Sequence, residues 1–291
     1  MTTAEIVLNP RARRRARLRR RFLKRPPAVF GLAFSVLVVL VAIFAPVLAP
    51  FDPAQQDFGA TLQQPGGAHL LGTDELGRDV LSRIIFGARA SIQAGVLATL
   101  LAIVIAVPLG LVAGYYRGWW DPIIMRFTDV LLSFPFLILA VGLAAILGPS
   151  LTNATLALGI SQIPAVIRIT RGEVLGLREE DYVAAAVADG ATDRVILGSY
   201  ILPNALSPLL VQATVAVPAA IIGESLLSFL GLGVQPPTPS WGVMLAGAQS
   251  YITQGPWLAL FPGLAIFLTT MSFNLLGDGL RDVLDPKMTL T

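Results

Sequence analysis

The sequence predicts an all-α, polytopic membrane protein with six transmembrane helices. Three observations carry this. Of the 291 residues only 13% are charged and 55% are hydrophobic, with a mean hydropathy of +0.72, whereas soluble domains carry about 25% charge. Asp, Glu, Lys and Arg are absent from 26–51, 90–116, 130–167, 195–223 and 225–277, and each run reaches the roughly 20 residues a helix needs to cross hydrocarbon. The charges between these runs favour alternate loops. With no water in the bilayer core each crossing has to be helical, because a helix satisfies its own backbone groups.

The elements follow in order. Residues 1–27 form a basic arm, in which RARRRARLRRRFLKR (Arg11–Arg25) holds ten of the 21 basic residues and no acid. Such a cluster can serve a nucleic-acid arm or the start of a cleaved signal peptide. The apolar run directly behind it exceeds the roughly 7–15 residues of a signal peptide's core. The reading adopted is an uncleaved first span, Ala28–Leu48, with the arm held in the cytoplasm near anionic membrane lipid and no nucleic-acid partner.

An extracytoplasmic loop over 49–90 comes next, long for a connection. Its end, DVLSRIIFGAR, puts Val80, Leu81, Ile84, Ile85 and Ala88 on one helical face. That pattern fits an interfacial helix and an N-terminal extension of span two equally well. A five-helix core fills 91–278, with spans at Ser91–Ala113, Val130–Leu147, Thr152–Thr170, Ala205–Gly231 and Trp257–Leu276. Asn153, Gln162 and Pro164 interrupt the fourth, which is therefore expected to face other helices rather than lipid. A cytoplasmic tail covers 279–291. With the N-terminus inside, the inner loops hold eight basic residues besides the arm, and the outer loops hold only Arg78, Arg83 and Arg89. Positive charge marks the cytoplasmic side, so both termini are cytoplasmic in an inner, plasma membrane.

Several chemistries are excluded. The chain has no cysteine, hence no disulfide, iron–sulfur cluster or thiolate zinc site. One histidine, His69, does not make a metal site of three or four ligands. No nucleophile–base pair has workable spacing, so neither catalytic residues nor a bound cofactor or metal are expected. The two lysines, Lys24 and Lys287, do not follow glycine, so there is no phosphate-binding loop. Ion-coupled carriers often pair acids inside the membrane. Here the candidates are Asp129, at the cytoplasmic edge of span three, and Glu224, in the outer part of span five. Glu224 either binds substrate or a proton, or makes a structural hydrogen bond to a neighbouring helix or subunit.

Energy for transport then has to come from another protein through a cytoplasmic contact. The candidate is DYVAAAVADGATDRVILGSYILPN (Asp181–Asn204), between spans four and five. Ala184, Ala185, Ala186 and Ala188 favour a helix without bulk. Gly190 suits a left-handed helix end, Thr192 or Asp193 a cap for a second short helix, and Pro203 and Pro208 the first turn of span five. Two short helices across the cytoplasmic mouth are expected. An alanine-rich turn that touches no partner is the alternative.

These residues resemble the EAA loop of ABC-importer permeases, Glu-Ala-Ala, three residues, Gly, nine residues, then Ile-x-Leu-Pro or a close variant. Ala184-Ala185-Ala186, Gly190 and Ile201-Leu202-Pro203 follow the register of the dipeptide/oligopeptide/nickel form, with Ala184 at the glutamate position. Glu179, Glu180 and Asp181 lie just upstream. Four further segments are similar to the C-type subunit of that family: Leu71–Ile92, Gly114–Pro135, Gly223–Leu245 and Phe273–Lys287. The resemblance implies a type I (MetI-like) permease core that pairs with a homologous B-type permease. It implies two cytoplasmic ATPases, which hold ATP and Mg and carry out hydrolysis, and an extracytoplasmic binding protein. It also implies an ATPase dock made of Asp181, Ala184, Ala185, Ala186, Asp189, Gly190, Ile201, Leu202 and Pro203. The cargo it implies is di- or oligopeptides, with nickel complexes, glutathione or haem as alternatives. A lone ion-coupled carrier and a membrane scaffold, docking through the outer PPTPSWG loop and the cytoplasmic loop, are the readings from other classes.

Overall fold

The computed structural model describes residues 20–284. Most of the basic arm and the last tail residues, Lys287 included, lie outside that range. The elements are α1 (Pro26–Ile43), α2 (Ala45–Leu48), α3 (Val80–Tyr116), α4 (Trp120–Leu132), α5 (Phe136–Leu147), α6 (Leu151–Arg178), α7 (Asp181–Ala188), α8 (Asp193–Val195), a π-helical turn (Ile196–Ile201), α9 (Leu202–Phe229), α10 (Trp241–Ala248) and α11 (Trp257–Leu284). No named β-strand occurs among the described residues.

Four helical segments are long and apolar enough to cross a membrane: α1, α3, Asp193–Phe229 and α11. The pair α4 and α5 makes a fifth, bent by 87°. The expected fourth span is α6. Its 28 residues give roughly 42 Å at 1.5 Å each, which is ample length, but Asn153, Gln162, Arg168, Arg171 and Glu173 keep it off an apolarity criterion. Neighbours enclose it: Ala154, Ala157, Leu158, Thr170 and Val174 are fully buried. The expectation that this span faces protein rather than lipid is met.

Contacting residues fix the helix directions. Ser35 Oγ lies 3.0 Å from Ser272 Oγ, and Ala28 faces Gly279, so α1 and α11 are antiparallel. Ser91 bonds to Glu224 and Gly95 faces Ile221 and Val217, so α3 and α9 are antiparallel. Gly159 meets Ala98 and Leu101, Gly110 meets Thr170, and Gly114 meets Val174, so α3 and α6 are parallel. These three relations agree with the directions that alternating crossings require. The start of α1 and the end of α11 therefore share one end, where Arg25 pairs with Asp282.

The α3–α6 contact rests on small residues. Ala90, Ala94, Ala98, Ala102, Ala106, Gly110 and Gly114 recur every fourth position and are all buried. Between membrane helices the attraction comes from close packing, which small side chains allow. A Cβ at Gly110 would sit 2.5 Å from Thr170 Cβ and 3.0 Å from the Ile167 carbonyl. Gly110→Leu is expected to force the two helices apart and destabilise the protein by about 1–3 kcal/mol. A lowered Tm in detergent reads this. Gly172→Leu is the control, since its Cβ would meet nothing within 4 Å, and equal losses from both would refute the packing argument.

The structure revises several boundaries. The first span stops at Ile43 and restarts at Ala45 after Phe44 leaves helical geometry, because Pro46 lacks the N–H that would continue the helix. Val80 to Tyr116 is one continuous helix whose start is capped by the Asp79 carboxylate, which accepts from Ser82 N. The extension of span two is therefore the arrangement adopted, with no separate interfacial helix. Span three is broken at Ser133–Pro135, leaving α5 only 12 residues. Span four runs unbroken through Pro164. Span six continues beyond Leu276 to Leu284. Part of the 232–256 segment is also structured: Trp241 is 2% exposed on α10, and its indole donates to the Ile84 carbonyl at 3.1 Å. The WG of PPTPSWG is core, not a docking surface.

Candidate coupling surface and buried polar sites

The loop between α6 and α9 stands at the end that carries Arg25, Arg117, Arg171, Arg178 and Arg194. Helix α7 is pinned by Val183 and Ala186, which are buried. Val183 packs with Tyr115, Val174, Ile196 and Ile201. Its end is a complete Schellman motif: Ala191 N donates to Ala186 O and Gly190 N to Val187 O, both at 3.0 Å, with Gly190 at φ +79°. Only glycine adopts that conformation without a Cβ penalty.

The nine sequence-predicted dock residues divide. Asp181, Ala184, Ala185, Asp189, Gly190 and Pro203 are exposed, Leu202 is half-buried, and Ala186 and Ile201 are core. The open part of the loop is therefore the Ala184–Ala185 face with its flanking acids. The second expected short helix is not separate. The turn of α8 runs through the π segment straight into α9. Its N-cap residue is Thr192, whose side chain makes no capping bond. Helix α9 starts at Leu202, so Pro208 lies inside it, tolerated because neighbouring helices enclose the break.

Ion pairs that sequence spacing does not reveal brace this end. Arg171 binds Asp121 with two bonds of 2.6 Å, the bidentate form that fixes orientation. Arg178 donates to the Tyr115 carbonyl at 2.7 Å and stacks 5.6 Å over its ring. The Tyr115 hydroxyl donates to Asp193 at 2.9 Å, tying the loop to α3. Burial, with Glu180 nearby, pushes the Tyr182 hydroxyl above its ordinary value, so it stays a neutral side chain on α7. Asp129, the first candidate intramembrane acid, is 57% exposed and paired with Arg168. It is not buried.

Glu224 is fully buried on α9. Its Oε2 accepts from Ser91 of α3 at 2.8 Å and its Oε1 from Ser228 at 2.7 Å. The Ser228 hydroxyl oxygen also accepts from Val234 N at 3.0 Å, so the acid links α3, α9 and the turn after α9. Ser228 lies one helical turn from Glu224, a signal the sequence offered. Ser91, 133 positions away, gave none.

A second polar network occupies the opposite end. Arg78 bonds to Asp74 at 2.6 Å and Glu75 at 2.9 Å, and Arg83 lies 3.4 Å from Asp74. His69 meets Asp79 at 2.9 Å. A cavity of about 290 Å3 lies against Asp74, Glu75 and Arg78. Among the described residues no group of three or more His, Asp or Glu is placed to hold a metal ion.

Residues 106–290 match the family described as binding-protein-dependent transport system inner membrane component. Residues 14–65 match the N-terminal TM domain of oligopeptide transport permease C. The chain is 45% identical over 261 residues to the dipeptide transport system permease protein DppC of Alkalihalophilus pseudofirmus, covering 90% of this chain and 86% of that one. It is 46% identical over 267 residues to the di/tripeptide transport system permease protein DppC of Pseudomonas aeruginosa, covering 90% and 88%. It is 46% identical over 270 residues to the glutathione transport system permease protein GsiD of Pectobacterium atrosepticum, covering 92% and 90%. Among solved structures, a chain of the inward-facing MetNI methionine ABC transporter aligns with a TM-score of 0.61 at 18% identity, over 70% of this chain and 97% of that one. That likeness concerns the fold.

Proposed function

The chain belongs to the family of binding-protein-dependent transport system inner membrane components, and from that premise we propose that it is the C-type permease subunit of an ATP-driven importer of di- or oligopeptides. One observation carries the coupling part. A short helix stands exposed at the basic end, its Ala184–Ala185 face open, on a chain with no phosphate loop of its own. The basic end faces the cytoplasm, and both termini lie there. Two ATPase subunits supply ATP and Mg, one docking on α7 and the other on the matching loop of a homologous B-type permease, which completes the pathway; an extracytoplasmic binding protein delivers cargo to the opposite end. Closure of the ATPases moves α7 through Val183 and the Tyr115–Asp193 bond, and the helices follow as rigid bodies. The division into arm, first span, outer loop, core and tail fits this assignment.

Glutathione is the second cargo reading, favoured by the GsiD relative at the same identity. A lone ion-coupled carrier loses support, because Asp129 is paired at the surface and only Glu224 remains. The test is reconstitution of the chain with its cognate permease, ATPases and binding protein in liposomes. ATP-dependent uptake of a labelled dipeptide is expected, with glutathione, nickel complexes and haem as competitors. Uptake driven by an ion gradient without ATPases would refute the proposal.

Ala184→Glu restores the family glutamate at an exposed position. Because its side chain touches no core residue, it is expected to leave folding unchanged and to alter ATPase retention by about two- to fivefold, the scale of one exposed charge pair. Co-purification of the ATPases across a salt series measures it. No change at any salt concentration would mean that position 184 does not face the ATPase.

A further inference from the structure

A pocket of about 200 Å3 opens where the 87° break between α4 and α5 leaves a gap against α6 and α9. Its walls include Leu132 and Leu139 from either side of the break, Ser161 and Gln162 of α6, and Gln212 and Val215 of α9. Gln162 lies near the middle of α6 and Gln212 near the middle of α9, so the pocket sits midway along both helices. Gln162 is 7% exposed, and neither its Nε2 nor its Oε1 has a hydrogen-bond partner. Buried amides are nearly always paired, and leaving one unpaired in a membrane interior costs free energy at both atoms. A partner is therefore missing from the isolated chain. No charged side chain lines the pocket among the described residues.

We propose that Gln162 is a specificity-determining residue that recognises the backbone of the cargo, with Oε1 accepting a peptide N–H and Nε2 donating to the carbonyl or carboxylate oxygen of the residue that carries that N–H. This rests on the peptide-importer reading. Peptides of differing sequence share the amide and little else. A neutral pocket with a free donor–acceptor pair suits that shared group without selecting side chains. Broken helices also build substrate sites in other transporters, where the bilayer permits irregular backbone only if it lines a cavity. The ester analogue of a dipeptide lacks the N–H and tests one of the two bonds.

The experiment measures uptake of a dipeptide and its ester analogue by the full reconstituted complex, each presented on the binding protein at saturation. The wild-type complex is expected to prefer the amide by roughly threefold to tenfold, the scale of one hydrogen bond. In Gln162→Leu and Gln162→Met the ratio is expected to fall towards one with basal ATPase retained, and Gln162→Asn is expected to recover part of it. An unchanged ratio in the assembled variants overturns the proposal while leaving peptide import intact. Loss of assembly with the second permease in both apolar variants also overturns it, assigning the amide to the subunit interface. Failure of the wild-type complex to import any peptide overturns the cargo reading itself, and this proposal with it.

Discussion

Ala185→Trp is expected to abolish peptide uptake while the chain inserts and folds normally. Ala185 is exposed on α7, and its neighbour Ala186 carries the buried contact. The substitution therefore adds bulk only where a partner would press. Truncated or blocked central positions in protein interfaces commonly cost about 2–4 kcal/mol, enough to lower ATPase affinity by roughly 30-fold or more. Basal ATPase activity of the free ATPases should persist while stimulation by loaded binding protein disappears. Two companion variants separate docking from folding. Ala186→Trp enters a site that is 4% exposed and should lower Tm. Gly190→Val meets no atom within 4 Å but imposes a branched side chain at φ +79°. It should free the end of α7 and weaken coupling without disturbing the membrane helices. Normal uptake and normal ATPase stimulation in Ala185→Trp would remove α7 from the coupling path.

The charge-free runs made the spans legible because the bilayer penalises charge residue by residue. That signal is local. It located the four long apolar helical segments and the bent α4–α5 pair, and also α6, whose Asn153 and Gln162 announced a protein-facing helix. It did not show where span three bends, because that break comes from Pro135, a backbone effect to which a charge count is blind. The proline rule held for Pro203, in the first turn of α9, and failed for the second proline. Pro208 lies within α9, where membrane neighbours tolerate what a soluble helix would not. The loop proposed as the dock was legible in register but not in orientation. A run of three alanines has no visible inner face, and only Val183 packing with Ile196 and Ile201 shows that Ala186 turns inward. The fourth-position ladder from Ala90 to Gly114 was present in the sequence and predicts a close helix contact. Its partner, α6, is a tertiary fact.

Glu224 decides between a structural and a transport role for the one fully buried acid of the membrane core. In the structure each carboxylate oxygen accepts one serine hydroxyl, from Ser91 at 2.8 Å and Ser228 at 2.7 Å. Glu224→Leu removes both acceptors. Two buried hydroxyls lose the acceptor for their proton, at about 1–3 kcal/mol each, and the tie between α3 and α9 is lost. A large fall in Tm and in the yield of assembled complex is expected. Glu224→Gln keeps the volume, its Oε1 still accepts one hydroxyl, and its Nε2 donates to the other serine oxygen. A structural acid is therefore replaced with little loss, and uptake should stay within about threefold of wild type, with no new dependence on pH. A carboxyl that takes up and releases a proton during transport has no substitute in an amide. Uptake abolished in Glu224→Gln, with Tm and assembly unchanged, would place proton transfer at Glu224 and revive ion coupling. The bonds to Ser91 and Ser228 favour the first outcome. They hold the acid between two helices that contact each other along their length, away from the pocket lined by Gln162 and Gln212.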